Sequence, residues 1–194
     1  GIRDLVRSRV LGDVYKRQLN SLTEKKFESD CIHTLMEDSG GNLWIGTRQG
    51  VYILDADDQF HKLSEWMPGA ELEFLHSRIF DIKEDAERNI WIATNYEGIV
   101  RINLQDKTYK RYAVGQKRDV QNIFCLLVDS RQQIWAGSMW NGLSYYDRRQ
   151  DMFVTITSFS TIENKGITNI VEDSRGKIWI TTNNTVLSFT MNEA

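Results

Sequence analysis

The sequence predicts an all-β fold: a β-propeller of four consecutive four-stranded blades. Two observations carry that prediction. First, one block, EDSGGNLWIGT at 37–47, returns as EDAERNIWIAT at 84–94, VDSRQQIWAGS at 128–138 and EDSRGKIWITT at 172–182. An Asp precedes a Trp by six residues in every copy: Asp38/Trp44, Asp85/Trp91, Asp129/Trp135 and Asp173/Trp179. The Trp-to-Trp spacings are 47, 44 and 44 residues, and a fixed period of that size marks a repeat architecture. Second, each period breaks into short apolar runs closed by turn residues, with no sustained helical period, as expected of an antiparallel blade.

The elements follow in order within each repeat. An inner strand opens on paired apolar residues, Ile32/Leu35, Ile79/Ile82, Ile123/Leu126 and Ile167/Ile170, and ends at the repeated Asp. The turn after it is rich in Asp, Ser, Asn and Gly, which bond their own backbone or tolerate positive φ. The Trp-bearing second strands are expected at 43–47, 90–94, 134–138 and 178–182. A short loop ends in Gly50, Gly98 and Gly142, with Thr185 in the fourth copy, which should weaken that turn. Third strands are expected at 51–54, 99–103, 143–146 and 186–189. Fourth strands centre on Phe60, Tyr109 and Phe153, and the fourth repeat ends before its own.

The domain reading is therefore four repeats at about 31–78, 79–122, 123–166 and 167–194, the last incomplete. Residues 19–30 read as the last strand of a preceding blade. Residues 1–18 fit no repeat, lack the apolar core and cleavage site of a signal peptide, and are read as a non-native leader. The one proline, Pro68, sits in the linker at 61–78, expected to be a surface loop. The four blades are expected to form a partial arc of a larger, seven-bladed propeller. The alternative is a closed four-bladed ring, with 22–29 supplying blade four's missing strand. The link from Phe27 to Ile32 spans only five residues, against 19, 14 and 14 for the corresponding links, and this favours the arc.

Bulk composition excludes several function classes. The chain has 194 residues, 41% hydrophobic and 26% charged, and a net charge of −3 with both signs interspersed. That is a globular chain without the basic footprint of a nucleic-acid binder, and no apolar run is long enough to span a membrane. The two cysteines, Cys31 and Cys125, lack metal or redox spacing and read as packed thiols. No metal is expected from His33, His61 and His76, and no cofactor motif or catalytic constellation is present.

The repeated Asp–Trp blocks have the look of sites, but a residue with the same task in every unit is expected to be scaffold. The unshared positions are more informative. Strand direction alone puts the loop between strands two and three on the same side as the linker to the next blade, opposite the Asp turns. That face should carry Arg48, Gln49, Asn95, Tyr96, Glu97, Met139, Trp140, Asn141, Asn183 and Asn184, with Trp66, Glu71, His76 and Arg78 added by the linker. Aromatic rings bordered by amides and guanidinium groups suit a carbohydrate. The candidate ligand-binding set is Trp140, Tyr96, Asn141, Asn95, Arg48, Trp66 and Arg78. His33, aligned with Phe80, Phe124 and Thr168, is expected to pack or line the channel.

The block carried by Ile32, Leu35, Asp38, Trp44, Gly46, Thr47 and Gly50, with its three in-phase copies, resembles the two-component regulator propeller repeat. The resemblance implies the extracytoplasmic sensor region of Bacteroides-type hybrid two-component histidine kinases. It further implies a periplasmic location, an oligosaccharide or other small ligand, and no enzymatic activity in this segment. Its other partners would be the remaining blades and downstream domains of the same chain, with a homodimer in the intact sensor. No nucleic acid or membrane contact is implied for this segment. Two alternatives stand beside it: a propeller lyase or hydrolase of the streptogramin-lyase type, and a protein-interaction propeller.

Overall fold

The repeated block dictates the structure of each blade locally. The computed structural model describes residues 31–68, 76–115, 122–157 and 166–191. The expected leader at 1–18 and the expected strand at 19–30 lie outside these residues, as does Glu71. Blade one is the meander β1 (Ile32–Glu37), β2 (Leu43–Thr47), β3 (Gly50–Leu54) and β4 (Phe60–Lys62), followed by one helical turn, α1 (Leu63–Trp66). Blade two is β5 (Ile79–Glu84), β6 (Asn89–Thr94), β7 (Ile99–Asn103) and β8 (Thr108–Tyr112). Blade three is β9 (Ile123–Val128), β10 (Ile134–Ser138), β11 (Leu143–Asp147) and β12 (Met152–Thr155). Blade four has three strands among the described residues: β13 (Ile167–Glu172), β14 (Ile178–Thr182) and β15 (Val186–Phe189). All pairings within the blades are antiparallel.

The Asp of each block closes the turn between the first two strands. Asp38 Oδ1 accepts the backbone N–H groups of Gly40 and Asn42, both at 2.9 Å, and its Oδ2 accepts the Trp44 indole N–H at 2.8 Å. The indole bond recurs at 2.7 Å for Trp91–Asp85, 2.8 Å for Trp135–Asp129 and 3.0 Å for Trp179–Asp173. A buried indole must find an acceptor, and here it finds a carboxylate that already orders the turn. The third turn residue after the Asp needs positive φ. Gly41 and Gly176 supply it freely, whereas Arg88 and Gln132 adopt it at φ 63°. Both non-glycine residues reach the preceding blade: Arg88 Nε donates to Ser39 Oγ at 2.9 Å, and Gln132 Oε1 accepts the Ala86 N–H at 2.8 Å.

Apolar packing between blades forms the core. Trp44, Val51 and Ile53 of blade one pack against Ile79, Ile82, Ile90 and Ile92 of blade two. Trp91 packs on blade three, and Trp135 on blade four. Close approach is built in at Gly46 and Gly137, where an added Cβ would lie 2.8 Å from Ile79 and 2.5 Å from Ile167 respectively. At the rim of the turns, Glu84 accepts the Ser39 N–H and hydroxyl at 2.6 and 2.7 Å, and Glu172 accepts both from Ser130 at 2.7 Å. Between blades two and three this clasp is missing on both sides, since Ala86 stands for Ser and Val128 for Glu. A different network binds that interface. The hydroxyls of Tyr112 and Tyr146 donate to Asp151 at 2.7 and 2.6 Å, and Arg101 donates to Tyr146 at 2.9 Å while lying 5.6 Å from the Trp91 ring centre.

The arc is open among the described residues. Ile79, Ile82, Ile123 and Leu126 are buried, but their counterparts in blade one, Ile32 and Leu35, are 45% and 60% exposed. At the other end Val171 and Val186 are exposed and Trp179 is half-buried. One expectation needs correcting. The linker at 61–78 is not simply a surface loop, because α1 and the residue after it bury Leu63 and Met67 in the cluster around Trp44. Among its described residues Ser64, Glu65, Pro68 and His76 remain exposed.

Two outcomes follow for stability. Asp85→Ala strands a buried indole N–H and two turn N–H groups, so unfolding in urea should show a loss of about 3 kcal/mol. Asp173→Ala, beneath the half-exposed Trp179, should cost less, and equal losses would contradict the role of burial. For Asp38, burial acts to raise the pKa, but the bonds from Trp44, Asn42 and Gly40 outweigh it and hold the carboxyl below its ordinary value. A depressed folded pKa contributes stability that is complete above the unfolded value of about 3.9 and is lost as the pH falls through the folded one. The melting temperature should therefore fall on acidification below that value, and less steeply for Asp38→Asn.

Candidate ligand-binding face

The spacing of the inner-strand apolar pairs, i and i+3, does not match a regular strand, in which i and i+2 share a face. A β-bulge resolves the mismatch. In β1 the register skips between Ile32 and Thr34, in β5 between Ile79 and Asp81, in β9 between Ile123 and Cys125, and in β13 between Ile167 and Asn169. The bulged residues are His33, Phe80, Phe124 and Thr168. A bulge leaves one residue out of the ladder and re-aims its side chain. Here the first three rings come together as a row along the inner strands: His33 and Phe80 have centroids 6.0 Å apart, and Phe80 and Phe124 meet edge to face at 4.9 Å. The row lies at the end of the inner strands beside the loops between second and third strands.

Those loops are anchored by the last residue of each second strand. Thr47 and Thr94 donate their hydroxyls to the carbonyls of Gly50 and Gly98 at 3.0 and 2.9 Å, and accept the N–H of Gln49 and Glu97. The corresponding bonds are longer in blades three and four, 3.4 Å from Ser138 to the Gly142 carbonyl and 3.5 Å from Thr182 to the Thr185 carbonyl. The loops of blades two and three are one residue longer than those of blades one and four, and the extra length presents Tyr96 and Trp140 at equivalent tips, 63% and 49% exposed. Trp140 lines a cavity of about 400 Å³ together with Phe124, Met139, Gly166, Thr182, Asn183 and Asn184.

The predicted residues divide into three groups. Trp140, Tyr96, Arg48 and Arg78 are presented at this face. Arg48 is exposed, with its backbone N–H tied to the Cys31 carbonyl at 2.9 Å, and the Arg78 guanidinium lies 5.8 Å from the Phe80 ring centre. Asn95 is half-buried and bonds the Arg78 carbonyl through its backbone at 2.9 Å. Asn141 is braced: its side-chain amide donates to the Val114 carbonyl at 3.0 Å and its N–H to Ser138 Oγ at 2.7 Å. Trp66 is elsewhere. It stacks edge-on against His61 at 5.2 Å and lines a groove with Asp38, Asn42 and Arg88, on the side of the Asp turns. β4 has only three residues and α1 follows it at once, so Trp66 stays near the turn from which β4 began, which strand polarity alone did not reveal. Phe80 and Phe124, which the sequence offered only as counterparts of His33, prove central to the row; the i, i+3 spacing was the signal for their bulges.

The electrostatics of the row are set by the same neighbours. Burial first, then the charges of Arg78 and Arg48, lower the pKa of His33 from its ordinary value. Cys125, buried behind the row, has its thiol pushed up to about 12 by burial and by the charge of Asp81. Among the described residues no group of His, Cys, Asp and Glu is arranged to hold a metal ion.

The blades and their loop face define a β-propeller of repeated Asp–Trp units. Residues 26–49, 73–96 and 161–184 match the family model described as "Two component regulator propeller". The chain carries the repeats of that family. It is similar in structure to the extracellular domain of the putative hybrid two component system BT4673 from B. thetaiotaomicron, at 20% identity and a TM-score of 0.65 over 86% of this chain. The chain spans 22% of the length of that domain. It also resembles virginiamycin B lyase from Staphylococcus aureus, at 12% identity and a TM-score of 0.61, over 83% of this chain and 56% of the lyase. The computationally designed Ika4 protein is 11% identical with a TM-score of 0.60, over 92% of this chain and all (100%) of Ika4. At such identities these likenesses show the propeller fold alone. No curated protein matches the chain.

His33 should titrate below the usual value of about 6.5 when followed by NMR, and Arg78→Gln should move its midpoint upward. An unmoved midpoint would show that Arg78 does not act on the ring.

Proposed function

We propose that this chain is a ligand-sensing segment of an extracytoplasmic two-component sensor, and that it holds an oligosaccharide across the loop face. The observation that carries the reading is the continuity of aromatic surface there. Phe124 belongs both to the row with Phe80 and His33 and to the cavity containing Trp140, Asn183 and Asn184. A row of rings edged by amides and hydroxyls offers apolar and polar contacts suited to the apolar faces and hydroxyl rims of linked sugars. The family of the repeats and the likeness to the extracellular BT4673 domain support the sensor role. No helix among the described residues is long and apolar enough to cross a membrane.

In this reading the segment works without chemistry. The ligand would bridge loops of neighbouring blades, and its binding energy would favour one packing of the propeller against downstream domains of a homodimeric, periplasmic sensor. Such a signal requires that the ligand bind the two arrangements with different affinity. The scaffold suits this role because blade cores are close-packed, so a shift is passed on as a rigid displacement rather than absorbed.

Thermal-shift screening of the chain against a glycan panel tests the proposal. Trp140→Ala should weaken binding of the best saccharide about tenfold, the loss of one stacked ring, with little change in melting temperature because the ring is half exposed. A large drop in stability at unaltered affinity would assign Trp140 to the scaffold instead.

A further inference from the structure

The row of rings is not symmetric in charge. At the blade-four end the cavity is bordered by Thr182, Asn183 and Asn184, all neutral. At the blade-one end the row finishes beneath two arginines. The Arg78 guanidinium sits 5.8 Å from the Phe80 centroid, and Arg48 begins the loop whose first N–H is bonded to the residue two before His33. Both charges act on the His33 ring, and they disfavour its protonation, so His33 adds no third positive charge at neutral pH.

Most described arginines close onto an acceptor. Arg101 reaches Tyr146 and Asp151, Arg111 reaches Glu97, and Arg148 reaches Glu87. Arg48 and Arg78 have no ion pair or side-chain hydrogen bond among the described residues. Glu97, a described carboxylate of these loops, is occupied by Arg111. Among the described residues, two guanidinium groups therefore stand without a carboxylate partner at one end of an aromatic row. Guanidinium offers paired, planar donors that match the two oxygens of a carboxylate or sulfate, and stacks on a ring while doing so.

Resting on the oligosaccharide reading above, we infer that the ligand is an anionic oligosaccharide: a sugar bearing a carboxylate or sulfate lies over blades one and two between Arg48 and Arg78, and a neutral sugar lies against Trp140. The orientation follows from the distribution of charge. The acidic unit gains two charge-assisted contacts at one end and finds only amides and hydroxyls at the other. The same arrangement discriminates against neutral chains only weakly through stacking, because stacking is common to both, and mainly through the unused donors.

The test is isothermal titration of the full chain with matched oligosaccharides: a uronate-containing oligomer and its carboxyl-reduced form, and a sulfated oligomer and its desulfated form. One acidic member should bind ten- to a hundredfold more tightly than its neutral match, roughly the value of one charged hydrogen-bonded contact, and the advantage should shrink as salt rises. Which pair shows the advantage tells carboxylate from sulfate. The double variant Arg48→Gln/Arg78→Gln should bind both members of that pair alike, while Arg78→Lys, which keeps the charge without the planar fork, should retain part of the preference. Equal affinity for acidic and neutral members in the unaltered chain, or a preference that survives the double variant, overturns this inference and leaves the saccharide reading standing. Absence of binding to every oligosaccharide overturns both.

Discussion

A hydrogen bond between an indole N–H and a carboxylate, made once per blade, is the contact on which the rest of this structure depends. It joins two demands that would otherwise compete. The Trp must be buried to fill the space between blades, and a buried indole needs an acceptor. The Asp is drawn beside that apolar core, and its oxygens are satisfied there by turn N–H groups and the indole together, as at Asp38. With turn and core locked to each other, one bond helps to set the relative position of the first and second strands.

Contacts between blades are less uniform than the blades themselves. The Ser–Glu clasp joins blade one to two and blade three to four, whereas the middle interface has lost both halves of it. In its place Asp151 gathers two tyrosine hydroxyls and a lysine. Burial works against its charge, but those bonds prevail and keep the carboxyl well below the usual range. The partners move the opposite way: burial first, then the bond to Asp151, raises the Tyr112 pKa, so the phenol stays a donor. Arg88 and Gln132 show the same economy, since each accepts backbone strain at a position suited to glycine and reaches the neighbouring blade in return.

The bulge in each inner strand connects scaffold to site. It brings both apolar residues of an i, i+3 pair into the interface between blades and turns the residue after the first toward the centre. Because that residue does no packing for the repeat, it is free to vary, as His33, Phe80, Phe124 and Thr168 show. The loop tips vary for the same reason. A regular scaffold thus carries an irregular face, rich in rings at the middle blades and in positive charge at the first.

By itself the sequence determined the blade: the period, the Asp–Trp pairing, the strand limits and the family of the repeats could all be read from local spacing, since the forces behind them act within one repeat. It also placed Trp140, Tyr96, Arg48 and Arg78 on one face, because strand polarity alone decides the side on which a loop emerges. Tertiary structure decided the rest. The row of Phe80 and Phe124 depends on bulges that exist only once strands are paired. Asn141 is spent on the Val114 carbonyl, a contact across 27 residues that spacing could not show. Trp66 stays on the side of the Asp turns because Leu63 and Met67 are drawn into the core. Local pattern fixes what repeats, but where an unrepeated side chain ends up depends on neighbours that only the packed blades supply.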